Sequence, residues 1–268
     1  MGAELRKVVR FIALSVVVFM AASTALLYFG QRFLFYPAPQ ERLVAPPAGF
    51  QFIETTTSDG LTLRAAFRSP ATGKPTLLFF HGNGDSIAGA DMATRMLTEA
   101  GYGALLVEYR GYGGNRGAPS EQGLYRDGEA AIAWLNAQGI SPKDTVFVGN
   151  SIGSGPATEM ALRHNPAGLV LVSGFASLPF VVSDLYPFIP ATLLVRDYYS
   201  NETKVGWIRT PILLLHGDAD PLVRPANSHR MKKAAQNASL IIVPGKGHEL
   251  AYLPEGQQLM LEWLATLP

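Results

Sequence analysis

The 268-residue chain contains no cysteine. Disulfides, thiolate zinc sites and a cysteine nucleophile are therefore excluded, whereas a reducing and an oxidising compartment fit equally well. An excess of charge is missing too, because 22 Lys and Arg stand against 21 Asp and Glu for a formal charge of +1. With no basic run and no basic stripe interleaved with aromatics, nucleic acid is not an expected partner. Internal repeats and low-complexity tracts are also lacking, so one catalytic-size domain is the natural reading of this length.

Apolar residues, at 48%, are abundant and unevenly spread. Residues 11–30, "FIALSVVVFMAASTALLYFG", carry no charged side chain. At about 1.5 Å per residue such a helix spans about 30 Å, the thickness of a bilayer core. Arg6, Lys7 and Arg10 precede the run and only Arg32 follows closely. The positive-inside rule then predicts a cytoplasmic segment at 1–10, a transmembrane anchor at 11–30 and the remainder on the non-cytoplasmic side, periplasmic in a bacterium. A cleaved secretion signal is the alternative, with Ser23, Thr24 and Ala25 as small residues for cleavage. The apolar run continues through Leu26, Leu27, Tyr28 and Phe29, which favours the uncleaved anchor. Residues 31–49 form a Pro-rich connector, predicted to be extended and semi-rigid.

The folded part, residues 50–268, opens with two β-rich runs joined by Ser58, Asp59 and Gly60, the pattern of a hairpin. From Thr76 onward, "TLLFF", "ALLVEY", "TVFVG", "GLVLVS", "PILLLHG" and "SLIIVP" alternate with helical segments. Near-continuous apolar strands need cover on both faces, so the expected fold is α/β with a mostly parallel central sheet and helices on both sides. Sites in such sheets form beyond the carboxyl ends of the strands.

Four strand ends carry polar chemistry. "VFVGNSIGSG" places Ser151 on a strand-to-helix turn between Gly149 and Gly153, where glycines relieve the crowding of a sharp, strained elbow. "HGNGD" follows "TLLFF", "HGDADPLV" contains Asp218 and Asp220, and "GKGHE" contains His248. Ser, Asp and His in that order form a complete nucleophile, acid and base set. His248 is the candidate base because it alone among the five histidines follows the last strand. His164 is read as a helix-end cation, His229 as a solvated face residue, and His81 and His216 as loop-packing groups. Asp220 precedes Pro221, which biases it to an extended conformation facing the base; Asp218 is the alternative acid. The oxyanion donors predicted for an attacked carbonyl are the backbone N–H groups of Ile152 and Asn83. No cofactor is called for: "HGNGD" lacks the Lys-Ser/Thr ending of a phosphate loop, and a metal on His216, Asp218 and Asp220 would need further ligands.

Taken together, "FFHGNG", "EYRGYGGNRGAPSEQGLYRDGEAAIAWL", "VGNSIGSG", "PILLLHGDADPLV" and "GKGHE" resemble the α/β-hydrolase-domain proteins of the serine aminopeptidase type. The likeness runs from about residue 33 to the carboxyl terminus, and it points to the membrane-anchored branch with protein depalmitoylases and lysophospholipid lipases. It implies the α/β-hydrolase fold, catalysis by Ser151, Asp220 and His248, and an oxyanion hole at Asn83 and Ile152. Relatives often carry Ser where Asn115 stands, so substrate contacts of that loop do not carry over.

Between the fourth and fifth of the parallel strands lies a long apolar segment, about residues 174–206, interrupted by Pro179, Pro187 and Pro190. Those prolines break a long crossover helix, so a small cap over Ser151 is expected, with Phe180 and Phe188 as substrate-binding residues. The leading reading is a membrane-anchored serine hydrolase acting on carboxyl esters or thioesters. A serine peptidase for short apolar peptides, and a catalytically inactive binding protein of the same fold, are the alternatives.

Overall fold

The computed structural model describes residues 2–267. Helix α1 (Ala3–Phe35) leads into strands β1 (Gln51–Thr56), β2 (Thr62–Arg68) and β3 (Thr76–Phe80). Next come α2 (Ile87–Glu99), β4 (Gly103–Val107), α3 (Glu121–Ala137), β5 (Thr145–Asn150), α4 (Ser154–His164) and β6 (Gly168–Val172). Three short helices, α5 (Leu178–Leu185), α6 (Ala191–Leu194) and α7 (Asn201–Val205), precede β7 (Ile212–Gly217); α8 (Ala226–Ala234), β8 (Ala238–Val243) and α9 (Pro254–Leu264) complete the chain.

The eight strands form one sheet in the order β1-β2-β4-β3-β5-β6-β7-β8. β2 runs antiparallel to both its neighbours, and every pair from β4 to β8 is parallel. Successive side chains of the parallel strands alternate between two cores. Leu78, Phe80, Phe147, Leu171 and Leu214 face the layer of α3, α4 and α8. Leu77, Phe79, Val148, Val170 and Leu213 face α2 and α9. Both faces are dry, which is why these strands read as continuous apolar runs. Each such buried side chain contributes about 1.5–3 kcal/mol relative to exposure.

One sequence expectation changes at the amino-terminal side. The helix does not stop at residue 30 but runs on to Phe35, because nothing in "QRFLF" breaks it and its last turns gain partners. Gln31 is buried and donates Nε2–H to the Leu194 carbonyl at 3.2 Å, while its Oε1 accepts the Arg196 N–H at 2.8 Å. The Pro-rich connector, expected to be extended and semi-rigid, packs against the domain. Tyr36 is buried with its hydroxyl 2.8 Å from both Asp197 and Tyr199; Gly113 N–H donates to the Pro39 carbonyl, and Arg64 to the Leu43 carbonyl. The connector lies against the domain because its carbonyls find donors there.

Candidate active site

Neighbouring strands bring separate loops to one place. Phe80 of β3 pairs with Gly149 of β5, so the loops carrying Asn83 and Ser151 emerge side by side. Gly217 of β7 pairs with Val243 of β8, and the Asp218 and Ala219 N–H groups donate to the Val243 and Lys246 carbonyls. That pairing fixes the Asp220 turn against the His248 loop.

Ser151 sits in a single tight turn between β5 and α4, in the left-handed region at φ 51°. A non-glycine residue there is strained, and the surrounding packing must hold it. Glycine is required on either side. A Cβ at Gly149 would stand 2.5 Å from the Gly153 carbonyl oxygen, and one at Gly153 would collide with the Phe80 carbonyl. The start of α4 follows directly, so its positive dipole end lies beside the serine.

The Ser151 hydroxyl lies 2.8 Å from Nε2 of His248, whose Nδ1 lies 2.7 Å from Oδ2 of Asp220. Ser151 is 7% and Asp220 3% exposed, so both work largely out of water. Asp220 Oδ1 accepts the Leu222 and Val223 N–H groups, each at 2.9 Å. Burial opposes its ionisation, but hydrogen bonds from His216 and His248 and the Val223 N–H outweigh it, holding the carboxyl well below its usual range. Asp218 is turned elsewhere, accepting the Gly245 N–H at 2.6 Å. Among the described residues, no cluster of three or more His, Asp or Glu is placed to hold a metal.

His216 is the residue whose importance sequence reasoning understated. It is fully buried, with Nε2 2.6 Å from the Val223 carbonyl and 3.4 Å from Asp220 Oδ2. A carbonyl only accepts, so Nε2 carries the proton and Nδ1 accepts from the Ser228 hydroxyl at 2.6 Å. His164 and His229 are where they were expected: the first bonds Glu129 at the end of α4, and the second is exposed on α8.

On the opposite side, Asn83 stands exposed after β3, its side-chain oxygen accepting from the Tyr112 hydroxyl at 3.2 Å. Beneath it, His81 is buried with Nδ1–H donating to the Gly82 carbonyl at 2.8 Å and Nε2 3.3 Å from Glu108 Oε1. Complete burial disfavours the imidazolium; Glu108, then Asp85 and the Gly82 carbonyl, more than compensate and raise its pKa. The other Glu108 oxygen accepts the Ile87 N–H at the start of α2. Tyr252 joins this loop to the histidine side, donating to Asp85 at 2.7 Å and accepting from Asn150 at 3.1 Å.

A cavity of about 630 Å³ opens over Ser151, with Asn83 and Ile152 also on its wall. The residues bringing apolar character from α5 are Leu178, Val181, Val182 and Leu185, one face of a helix at spacings of three and four. This register corrects both expected cap contacts. Phe180 falls on the other face of α5, beneath the Arg230 guanidinium at 4.5 Å from the ring centre, and Phe188 is 98% exposed beyond the helix end. Neither lines the cavity. α7, with Asn201 and Val205 buried, packs between α4 and α8 and acts as the crossover helix, so cap and crossover share the segment.

The matching family models are Serine aminopeptidase, S33, over residues 71–196, and TAP-like protein, over residues 195–266. Protein Rv2307c of Mycobacterium tuberculosis is 35% identical over 229 residues, spanning 84% of this chain and 80% of that protein. Human alpha/beta hydrolase domain-containing protein 17B is 30% identical over 203 residues, spanning 72% of this chain and 67% of that protein. Among solved structures, the Pyrococcus furiosus esterase Pf2001 superposes with TM-score 0.67 at 18% identity, covering 85% of this chain and 96% of the esterase. The esterase domain of a Rhodothermus marinus protein gives 0.62 at 20% identity, covering 81% and 98%. The chain belongs to the α/β-hydrolase family.

Proposed function

We propose that the protein is a membrane-anchored serine hydrolase that cleaves carboxyl esters or thioesters through an acyl-enzyme on Ser151. The hydrogen-bonded line from Ser151 through His248 to Asp220, opening onto an apolar cavity, is the observation that carries this reading. A serine hydroxyl is a weak nucleophile at neutral pH and needs a base with a fixed tautomer. Asp220 supplies that tautomer by accepting the Nδ1–H of His248, which leaves Nε2 free to take the serine proton.

In the first half-reaction Ser151 Oγ bonds to the substrate acyl carbon as His248 Nε2 takes the hydroxyl proton. Charge gathers on the former carbonyl oxygen, where the Ile152 and Asn83 N–H groups donate to it. The bond to the alcohol or thiol then breaks, and His248 returns the proton to the leaving group. A water, deprotonated by the same nitrogen, attacks the acyl-enzyme and releases the carboxylic acid and free Ser151. His216 helps to keep Asp220 ionised and oriented throughout.

The anchor is α1: its segment Glu4–Leu26 has a mean hydropathy of 2.1, and none of its described residues is buried. With Arg6, Lys7 and Arg10 before the uncharged run at residues 11–30, the amino terminus is cytoplasmic and the catalytic domain lies across the membrane. The deciding experiment labels folded protein with a fluorophosphonate and compares p-nitrophenyl acyl esters with aminoacyl anilides. Labelling that vanishes in Ser151→Ala, with turnover of esters above anilides, is expected. Faster turnover of anilides would give the site to a peptidase, and no labelling of folded wild type would overturn serine catalysis.

A further inference from the structure

We propose that the last two turns of α1, residues 28–35, are a wall of the acyl-binding site, so that the membrane anchor also selects which acyl chains are cleaved. The inference rests on the acyl-hydrolase reading above and adds where the acyl chain lies. Tyr28, Gln31, Leu34 and Phe35 line the same cavity as Ser151. Positions 28, 31 and 35 share one face of a helix, whereas Phe29 and Phe33, 73% and 84% exposed, point away.

The wall is tied to the cap. Gln31, the lone amide in an apolar stretch, is 6% exposed and bridges to the Leu194 carbonyl and the Arg196 N–H. Arg196 lies over the Tyr28 ring at 5.6 Å, and Tyr36, one residue beyond α1, closes the corner through Asp197 and Tyr199. A helix that served only as a tether would have no need of a buried amide bonded to the cap. Because the same helix continues into the apolar segment Glu4–Leu26, the cavity lies beside the bilayer surface, where long-chain acyl groups are held. The ligand chemistry is an apolar acyl chain whose ester or thioester carbon reaches Ser151 while its tail contacts α1 and α5.

Leu34 is 61% exposed and marks the mouth of the cavity, so its size is expected to set the reach available to a chain. The test uses the full chain in detergent micelles with p-nitrophenyl butanoate and dodecanoate as probes. In Leu34→Trp the ratio of kcat/KM for dodecanoate over butanoate is expected to fall about tenfold, since each methylene excluded from burial removes about fourfold. Leu34→Ala, which carries no risk of overpacking, is expected to keep or raise that ratio, and Phe33→Trp on the outer face to leave it at the wild-type value. Fluorophosphonate labelling confirms an intact site in each variant. An unchanged ratio in both Leu34 variants, or an equal fall in Phe33→Trp, overturns the wall. Wild-type protein that labels but hydrolyses neither ester overturns the acyl-hydrolase reading beneath it.

Discussion

His216 holds its Nε2 3.4 Å from Oδ2 of Asp220, the same oxygen that accepts from His248 at 2.7 Å. One carboxylate oxygen thus serves two imidazoles, one buried and one facing Ser151. Removing His216 leaves the Val223 carbonyl and the Ser228 hydroxyl without their partner and takes the second imidazole away from Asp220 Oδ2, so that side of the carboxylate is held by His248 alone. His216→Leu is expected to lower stability by about 1–3 kcal/mol, the cost of leaving buried polar groups unpaired. It should also lower kcat by about tenfold at fixed KM, because the base is less well oriented. Urea unfolding and steady-state kinetics on one ester measure both; unchanged kcat in the destabilised variant would make His216 purely structural.

Ser151→Ala and His248→Ala should each lower kcat by about 10⁴–10⁶, and the double variant should lose little more, because residues acting as a unit are non-additive. Asp220→Asn should lose about 10⁴ through the wrong histidine tautomer. Asp218→Asn, whose carboxylate only accepts the Gly245 N–H, should stay within about tenfold of wild type. Greater damage from Asp218→Asn than from Asp220→Asn, in equally folded protein, would reverse the assignment of the acid.

Buried ionisable groups make stability depend on pH in opposite senses. Asp220 titrates lower when folded, so its ionised form stabilises the fold above the unfolded value of about 3.9, and that contribution is lost as pH falls toward the folded value. His81 titrates higher when folded, so its imidazolium contributes fully below the unfolded value of about 6.5 and is lost as pH rises through the folded one. Glu108→Gln removes the partner of His81. The Tm gap between wild type and this variant is expected to be widest near pH 6 and to narrow toward about pH 9. A constant gap across that range would exclude the charged pair.

The strands were legible because a parallel sheet buried on both faces leaves uninterrupted apolar runs, as in "TLLFF" for β3 and "GLVLV" for β6. Ser151 was legible because its φ of 51° and the clashes at Gly149 and Gly153 impose a local residue pattern. Asp220 and His248 followed from strand order, which turns distance along the chain into neighbouring loops. Less visible was the docking of α1, since its long apolar run shows no preferred face; only the burial of Gln31 among its last turns marks the docked side. His216 was hidden for a different reason. A histidine at a strand end looks the same whether it packs a loop or supports a carboxylate, and only the path of the Asp220 turn brings them together.

Prolines placed the cap but not its register. Pro179 sits in the first turn of α5, where proline is tolerated, so the helix extends from Leu178 to Leu185 and turns Val181, Val182 and Leu185 to the cavity. Phe188 lies past its end, in solvent. If the cavity receives the acyl chain, Leu185→Asp puts a carboxylate where a methylene chain should lie, while Phe188→Asp alters only an exposed surface. On p-nitrophenyl hexanoate in detergent, kcat/KM is expected to fall by at least about tenfold in Leu185→Asp and to stay within about twofold of wild type in Phe188→Asp. For the wild type itself, kcat/KM should rise from acetyl to hexanoyl, about fourfold for each methylene buried. A fall with chain length, or a larger loss from Phe188→Asp than from Leu185→Asp, would place the chain elsewhere and favour a short-ester or peptide substrate.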